Sequence, residues 1–125
     1  MNKRILIVED DKSYQKILQE KLEKEGFQIV LADDGEMALN VIKNVDNIDL
    51  IILDLLMPKM DGQTFYYHLR NSLKDNSPVI VLTNLSTAPY DPGVAAFFVK
   101  TNISLEELIT KIKEIFAKEE REREK

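Results

Sequence analysis

The stretch Leu50-Ile51-Ile52-Leu53-Asp54-Leu55-Leu56-Met57-Pro58-Lys59-Met60-Asp61-Gly62 decides the fold. Four consecutive apolar residues, Leu50 to Leu53, read as a short strand buried on both faces, the pattern of a parallel sheet. The run ends on a carboxylate, Asp54. Met57-Pro58 and Asp61-Gly62 then punctuate a loop. Phe65, Leu69 and Leu73 follow at helical spacing and predict a helix.

Outward from this stretch the alternation repeats in both directions. Arg4 to Val8 predicts a first strand. Lys12 to Glu25 carries Tyr14, Ile17, Leu18 and Leu22 at helical spacing, and Gly26 is a C-terminal stop. Phe27 to Ala32 predicts a second strand, Asp33-Asp34-Gly35 a turn, and Met37, Ala38, Val41, Ile42 and Val45 a second helix. Val79 to Leu82 and Ala95 to Val99 predict two more strands. Ser104 with Glu107 forms a capping box, and Leu105, Leu108, Ile109, Ile112, Ile115 and Phe116 line the last helix. Short buried strands joined by helices imply an α/β fold with a parallel sheet covered on both faces. There is no internal repeat and no linker. The expected organisation is one domain over residues 1–118 and a charged tail, a frayed helical extension, over 119–125.

Composition narrows the function. The chain has 125 residues, 44% hydrophobic and 31% charged, the balance of one globular domain. It has no cysteine, which excludes disulfides, thiolate catalysis and cysteine-ligated metal. The net charge is −5, from 17 basic and 22 acidic residues. Such a chain is a poor nucleic-acid binder, because it releases few phosphate counterions. Lys118 to Lys125 holds four basic and four acidic residues, so the excess negative charge lies in the folded part. No apolar run is long enough to span a membrane, and no signal-peptide pattern opens the chain. A cytoplasmic location is the expectation.

Open parallel sheets bind ligands beyond the carboxyl ends of their strands. Glu9, Asp10 and Asp11 follow the first strand, Asp54 the third, Thr83 the fourth and Lys100 the fifth. Clustered carboxylates raise one another's pKa unless a cation is present. Hard oxygen donors without histidine or cysteine favour Mg²⁺ or Mn²⁺. A carboxylate can form an aspartyl phosphate, and phosphoryl transfer needs charge neutralisation that a metal, a lysine and a hydroxyl supply. Taken singly, each residue has a plainer reading: acids cap helices, threonines sit in turns and lysines are solvated. Their joint occurrence at four strand ends favours the chemical reading.

Ile5-Leu6-Ile7-Val8-Glu9-Asp10-Asp11, the Asp54 to Gly62 segment, Val81-Leu82-Thr83 and Phe97-Phe98-Val99-Lys100 resemble, in order and across nearly the whole chain, the receiver domain of two-component response regulators. The resemblance implies a flavodoxin-like, doubly wound five-stranded sheet of order 2-1-3-4-5. It implies Asp54 as phosphoacceptor, with Thr83 and Lys100 contacting the phosphoryl group. It implies a Mg²⁺ (or Mn²⁺) site of Asp10, Asp54 and the Leu56 main-chain carbonyl, with Glu9 acting largely through metal-bound water. Thr83 and Phe97 are the expected switch pair. Asp11 is expected to cap the first helix. His68 has no clustered partner and reads as a surface or boundary residue.

Four features depart from that pattern. Thr83 and Lys100 lie closer together than is usual, and Pro89, Pro92 and Gly93 fall between them. The helix that would join the fourth and fifth strands is therefore expected to be absent or a single turn. Lys100 is followed by Thr101 rather than proline, so a cis bond there would cost roughly 2.5–4 kcal/mol. Asn84 stands where a small residue is common, and Phe97 lacks a tyrosine's hydroxyl.

The leading functional expectation is a stand-alone receiver. It accepts a phosphoryl group from a histidine kinase or phosphotransfer protein and changes its binding to a downstream protein. It is a signalling phosphoacceptor rather than a classical enzyme, with no direct nucleic-acid or membrane contact. The alternative is an interaction module of the same fold that phosphate does not switch. A haloacid-dehalogenase-type phosphatase would want an aspartate where Leu56 stands. A flavin or dinucleotide binder would want a phosphate-cradling loop where Glu9 to Lys12 stands, and Gly26, Gly35, Gly62 and Gly93 are too scattered to make one.

Overall fold

A computed structural model of the chain describes residues 2–85 and 93–124. The strands are β1 (Arg4–Val8), β2 (Gln28–Ala32), β3 (Leu50–Leu53), β4 (Val79–Thr83) and β5 (Ala96–Val99). The helices are α1 (Lys12–Lys24), α2 (Gly35–Asn44), α3 (Gly62–Asn71) and α4 (Leu105–Arg123), with a 3₁₀ turn over Lys100–Asn102. The sheet order is β2-β1-β3-β4-β5 and every neighbouring pair is parallel, as expected.

Side-chain alternation along the strands builds two cores. Ile5, Ile7, Leu50, Ile52, Ile80 and Leu82 face α1 and α4, meeting Leu18, Leu22, Leu108, Ile112 and Phe116. Leu6, Val8, Ile51, Leu53, Val79 and Val81 face α2 and α3, meeting Ala38, Phe65 and Leu69. β3 is apolar at every position, and β1 and β4 at all but Arg4 and Thr83, because both faces are covered. Truncating one of these leucines to alanine costs about 2–5 kcal/mol.

Each helix begins on a short polar side chain that accepts an N–H three residues on. Asp11 caps at Tyr14, Asp34 at Met37, Asp61 at Thr64 and Ser104 at Glu107. The capping box of Ser104 and Glu107 is complete.

The register sets the site. Val8 pairs with Leu53, Leu53 with Val81, and Val81 with Phe97. The residues immediately after Val8 and Leu53 are Glu9 and Asp54. The ladder carries on through them: the Glu9 N–H reaches the Ala32 carbonyl at 3.0 Å and the Asp54 N–H the Val8 carbonyl at 3.1 Å. The chain leaves β1 toward β2 and returns past it to β3. The topological switch point of the sheet therefore lies between β1 and β3, under these two acids.

Some details differ from the sequence expectation, and others fill in points it left open. Ile17 is 49% exposed, while Gln15 is buried on the inner face of α1. Leu18 and Leu22 set that face; Gln15 lies three residues before Leu18 and shares it, whereas Ile17 is rotated off it. Phe27 precedes β2, and its N–H closes the turn on Leu22. Val45 and Leu73 lie just past the ends of α2 and α3, and Ala95 just before β5. α4 continues without a break through residue 118 to Arg123. The Lys100–Thr101 bond is trans, since no described peptide bond is cis. The expected loss of the helix after β4 falls on residues 86–92, which lie outside the described residues. The flanking residues 84–85 and 93–95 are not helical.

Candidate functional site

At the switch point the strand ends deliver one carboxylate each from β1 and β3. Glu9 is 2% and Asp54 5% exposed. Asp10, next to Glu9, is exposed. Carboxylate oxygens of Glu9, Asp10 and Asp54 lie within 4.8 Å of one another. Two buried acids and a third at the rim thus converge on one small volume that opens to solvent on the Asp10 side.

Lys100 enters from β5. Its Nζ lies 2.5 Å from Glu9 Oε1 and 3.0 Å from Asp54 Oδ2, and its side chain is 13% exposed. The remaining oxygens are also occupied. Asp54 Oδ1 accepts the Leu56 N–H at 3.1 Å, and Glu9 Oε2 accepts the Asp11 N–H at 3.0 Å. Burial pushes the Glu9 carboxyl above its ordinary value, and the Asp54 charge adds to this, against the pull of Lys100 and the Asp11 N–H. Burial would lower the Lys100 ammonium, but its hydrogen bonds to Glu9 and Asp54 prevail and raise it. The lysine is therefore a fixed positive charge. One cation against three acids leaves the cluster negative and suited to a second, divalent one.

Thr83 closes β4, fully buried, opposite Val99 and so one residue from Lys100. Its hydroxyl accepts the Leu85 N–H at 3.3 Å. Phe97 is half-buried and packs against the α2/α3 core. Leu56 turns its side chain outward, 51% exposed, from the loop beside the acid. Asp11 caps α1 as expected, and His68 is half-buried with a ring nitrogen 3.3 Å from Ser72 Oγ.

Gly62 shapes the loop. A Cβ there would lie 2.5 Å from the Asp54 carbonyl oxygen and 2.7 Å from the Leu55 Cα. Its own N–H bonds the Leu55 carbonyl at 3.1 Å. The first turn of α3 thus rests directly on the backbone that presents Asp54, a closeness only glycine permits.

Three supporting residues escape a reading from sequence. Gln15 Nε2 donates to the Glu9 carbonyl at 2.9 Å and to Asp33 Oδ1 at 3.0 Å, tying the end of β1 to that of β2. Tyr14 places its ring under the Lys100 ammonium, 4.5 Å from Nζ to the centroid. Lys59, at φ 66°, reaches Asp34 at 3.6 Å and links the β3–α3 loop to the start of α2. The place of Gln15 on the Leu18/Leu22 face was the only available signal among these.

A doubly wound α/β domain that brings an acid trio, a lysine and a buried threonine to the carboxyl ends of its strands has the architecture of a receiver domain. The chain belongs to the response regulator receiver domain family, which matches residues 5–113. It is 46% identical over 83 residues to the transcriptional regulatory protein CpxR of Escherichia coli, covering 66% of this chain and 34% of that protein. It is 35% identical over 115 residues to the response regulator MprA of Mycolicibacterium vanbaalenii, covering 88% and 48%. The chain thus spans about a third to a half of these relatives. Among solved structures, the receiver domain of the Francisella response regulator 1452 superposes with a TM-score of 0.83 at 30% identity, covering 94% of this chain and 98% of that one. The response regulator TrrA of Thermotoga maritima, solved with Mg²⁺ and BeF, superposes at 0.79 and 34% identity, covering 90% and 97%. No described helix is long and apolar enough to cross a membrane.

Proposed function

We propose that Asp54 accepts a phosphoryl group from a histidine kinase or a phosphotransfer protein, in the cytoplasm, and that the phosphorylated domain changes its binding to a downstream protein. The observation that carries this reading is the Lys100 ammonium seated between Glu9 and Asp54 at the switch point. An Asp54 carboxylate oxygen attacks the phosphorus of a phosphohistidine. The P–N bond breaks, and the imidazole keeps its electron pair and takes a proton. Lys100 moves from a carboxylate partner to a phosphoryl oxygen, so its charge is already in place when the negative charge arrives. The Thr83 hydroxyl, buried at the end of β4, bonds another phosphoryl oxygen, and Phe97 repacks with it.

The donor set fits a hard divalent cation. Asp10, Asp54 and the Leu56 carbonyl would hold Mg²⁺ or Mn²⁺, with Glu9 acting through bound water. Such an ion supplies charge neutralisation for the transferring group. The TrrA structure, solved with Mg²⁺ and BeF, supports the assignment by likeness.

The test is intact mass after incubation with Mg²⁺ and acetyl phosphate, wild type beside Asp54→Ala. One phosphoryl group on the wild type alone is expected. Equal uptake by Asp54→Ala would place the site elsewhere. No uptake from either acetyl phosphate or a kinase, with no beryllofluoride binding, would favour an interaction module that phosphate does not switch.

A further inference from the structure

The Lys100 ammonium has a third neighbour besides its two carboxylates. Its Nζ lies over the Tyr14 ring, 4.5 Å from the centroid. Glu9 and Asp54 are also the groups on which a divalent cation would draw, so metal and ammonium compete for the same oxygens. The ring face takes no part in that competition. It attracts a cation through its quadrupole, and more strongly where water is partly excluded.

The ring is itself held in place. The Tyr14 N–H donates to Asp11 Oδ1 at 3.1 Å, and the Asp11 N–H donates to Glu9 Oε2 at 3.0 Å. One hydrogen-bonded turn at the start of α1 therefore ties the Glu9 carboxylate to the backbone that carries the Tyr14 ring. Tyr14 is half-buried and packs against the α1/α4 core, so its side chain cannot swing freely away. Burial also keeps its phenol protonated, above the ordinary 10.0, so the ring stays neutral.

We propose that Tyr14 is a positioning residue for Lys100: its ring keeps the ammonium over the acceptor when a metal ion engages the carboxylates, ready for the incoming phosphoryl group. This rests on the reading of Asp54 as phosphoacceptor. The ring face is what matters, so phenylalanine serves and leucine, of similar bulk, does not.

The experiment follows the Lys100 side-chain methylene resonances by NMR, with and without saturating Mg²⁺. It compares wild type, Tyr14→Phe and Tyr14→Leu. Beryllofluoride affinity is measured on the same three proteins in Mg²⁺. Ring shielding should move the Lys100 Hε resonances upfield in wild type and Tyr14→Phe, persist when Mg²⁺ is added, and vanish in Tyr14→Leu. Tyr14→Leu should bind beryllofluoride roughly threefold to tenfold more weakly, and Tyr14→Phe within about twofold of wild type. Loss of the upfield shift on adding Mg²⁺ to wild type would overturn the proposal, and needs no variant to fold. Equal beryllofluoride affinity in all three proteins would overturn it too. A wild type that keeps the shift in Mg²⁺ but takes up no phosphoryl group would sink the acceptor reading alone.

Discussion

Lys100 Nζ sits closer to Glu9 Oε1, at 2.5 Å, than to Asp54 Oδ2, at 3.0 Å. The lysine is held more closely by Glu9 than by Asp54. The ammonium offsets the mutual repulsion of two buried carboxylates. A divalent cation bound as proposed would compete with the ammonium for these carboxylates.

Lys100→Met tests that balance. Methionine keeps an unbranched stem and removes the charge, leaving Glu9 and Asp54 facing each other without a counter-ion. The metal-free variant should lose about 1–3 kcal/mol, less than a fully enclosed broken pair because the Asp10 side is open. Mg²⁺ should then raise stability more than in wild type, since the ion no longer displaces an ammonium. Urea unfolding with and without saturating Mg²⁺ measures both. Equal Mg²⁺ stabilisation in the two proteins would show that metal and lysine do not compete.

Glu9 predicts the pH dependence. Its folded-state value lies above the ordinary 4.5 through burial, so the native protein keeps a proton that the unfolded chain has already lost. The Glu9 contribution to metal-free stability therefore falls as pH rises from about 4.5 through the folded value, then levels off. Metal needs the ionised carboxylate, so Mg²⁺ affinity should weaken as pH drops through the same window. Glu9→Gln should flatten this part of the profile while lowering affinity overall. Calorimetric titration with Mg²⁺ across that range is the check. An unchanged slope in Glu9→Gln would assign the proton to another group.

Gly62→Ala sets local propensity against contact. Alanine in a helix is worth about 1 kcal/mol over glycine. Here the added Cβ would meet the Asp54 carbonyl oxygen at 2.5 Å, a backbone atom that cannot rotate away. Overpacking of this kind costs about 1–3 kcal/mol, so the net change should be destabilising. The displaced backbone carries Asp54, so on the proposed phosphoacceptor reading phosphoryl uptake should slow as well. A variant more stable than wild type in thermal unfolding would contradict the close approach.

The sequence is most legible where the sheet dictates residue type. β1, β3 and β4 are covered on both faces, so their apolar runs stand out, and the acids that follow β1 and β3 stand out by contrast. Glu9, Asp10, Asp54 and Lys100 each follow an apolar run directly or by one residue, so the sequence itself marks them as strand-end groups. The helices were less legible. Adjacent apolar residues such as Ile17 and Leu18 cannot share a helix face, and spacing alone did not say which one turns outward. A buried glutamine reads as surface until Leu18 and Leu22 fix the face beneath it. The Tyr14 ring under Lys100 joins residues far apart in the sequence, and no local pattern announces it.

Gln15 is a polar clasp whose loss should be felt at the site. Gln15→Met conserves length and burial but removes the donors to the Glu9 carbonyl and to Asp33. An unpaired buried carbonyl costs about 1–3 kcal/mol. Asp33 keeps Lys12 at 2.6 Å, so the end of β2 is only partly released. The expected result is a loss of about 1–2 kcal/mol in denaturant unfolding, with slower phosphoryl uptake at saturating Mg²⁺. Wild-type stability in this variant would mean water replaces the amide.

Asp10 and Asp11 are neighbours in sequence and opposites in role. Asp11 caps α1 at the Tyr14 N–H, and Asp10 brings an exposed carboxylate to the acid trio. Asp11→Ala should cost about 1 kcal/mol through the lost cap and leave Mg²⁺ binding nearly intact. Asp10→Ala should behave in reverse. Removing one of three mutually repelling charges should leave metal-free stability unchanged or slightly higher, while Mg²⁺ affinity falls at least tenfold. The pair separates charge from architecture, because both variants remove one carboxylate from the same turn. If Asp11→Ala lost Mg²⁺ affinity as severely as Asp10→Ala, the two acids would share the metal, and Asp11 could not be a cap alone.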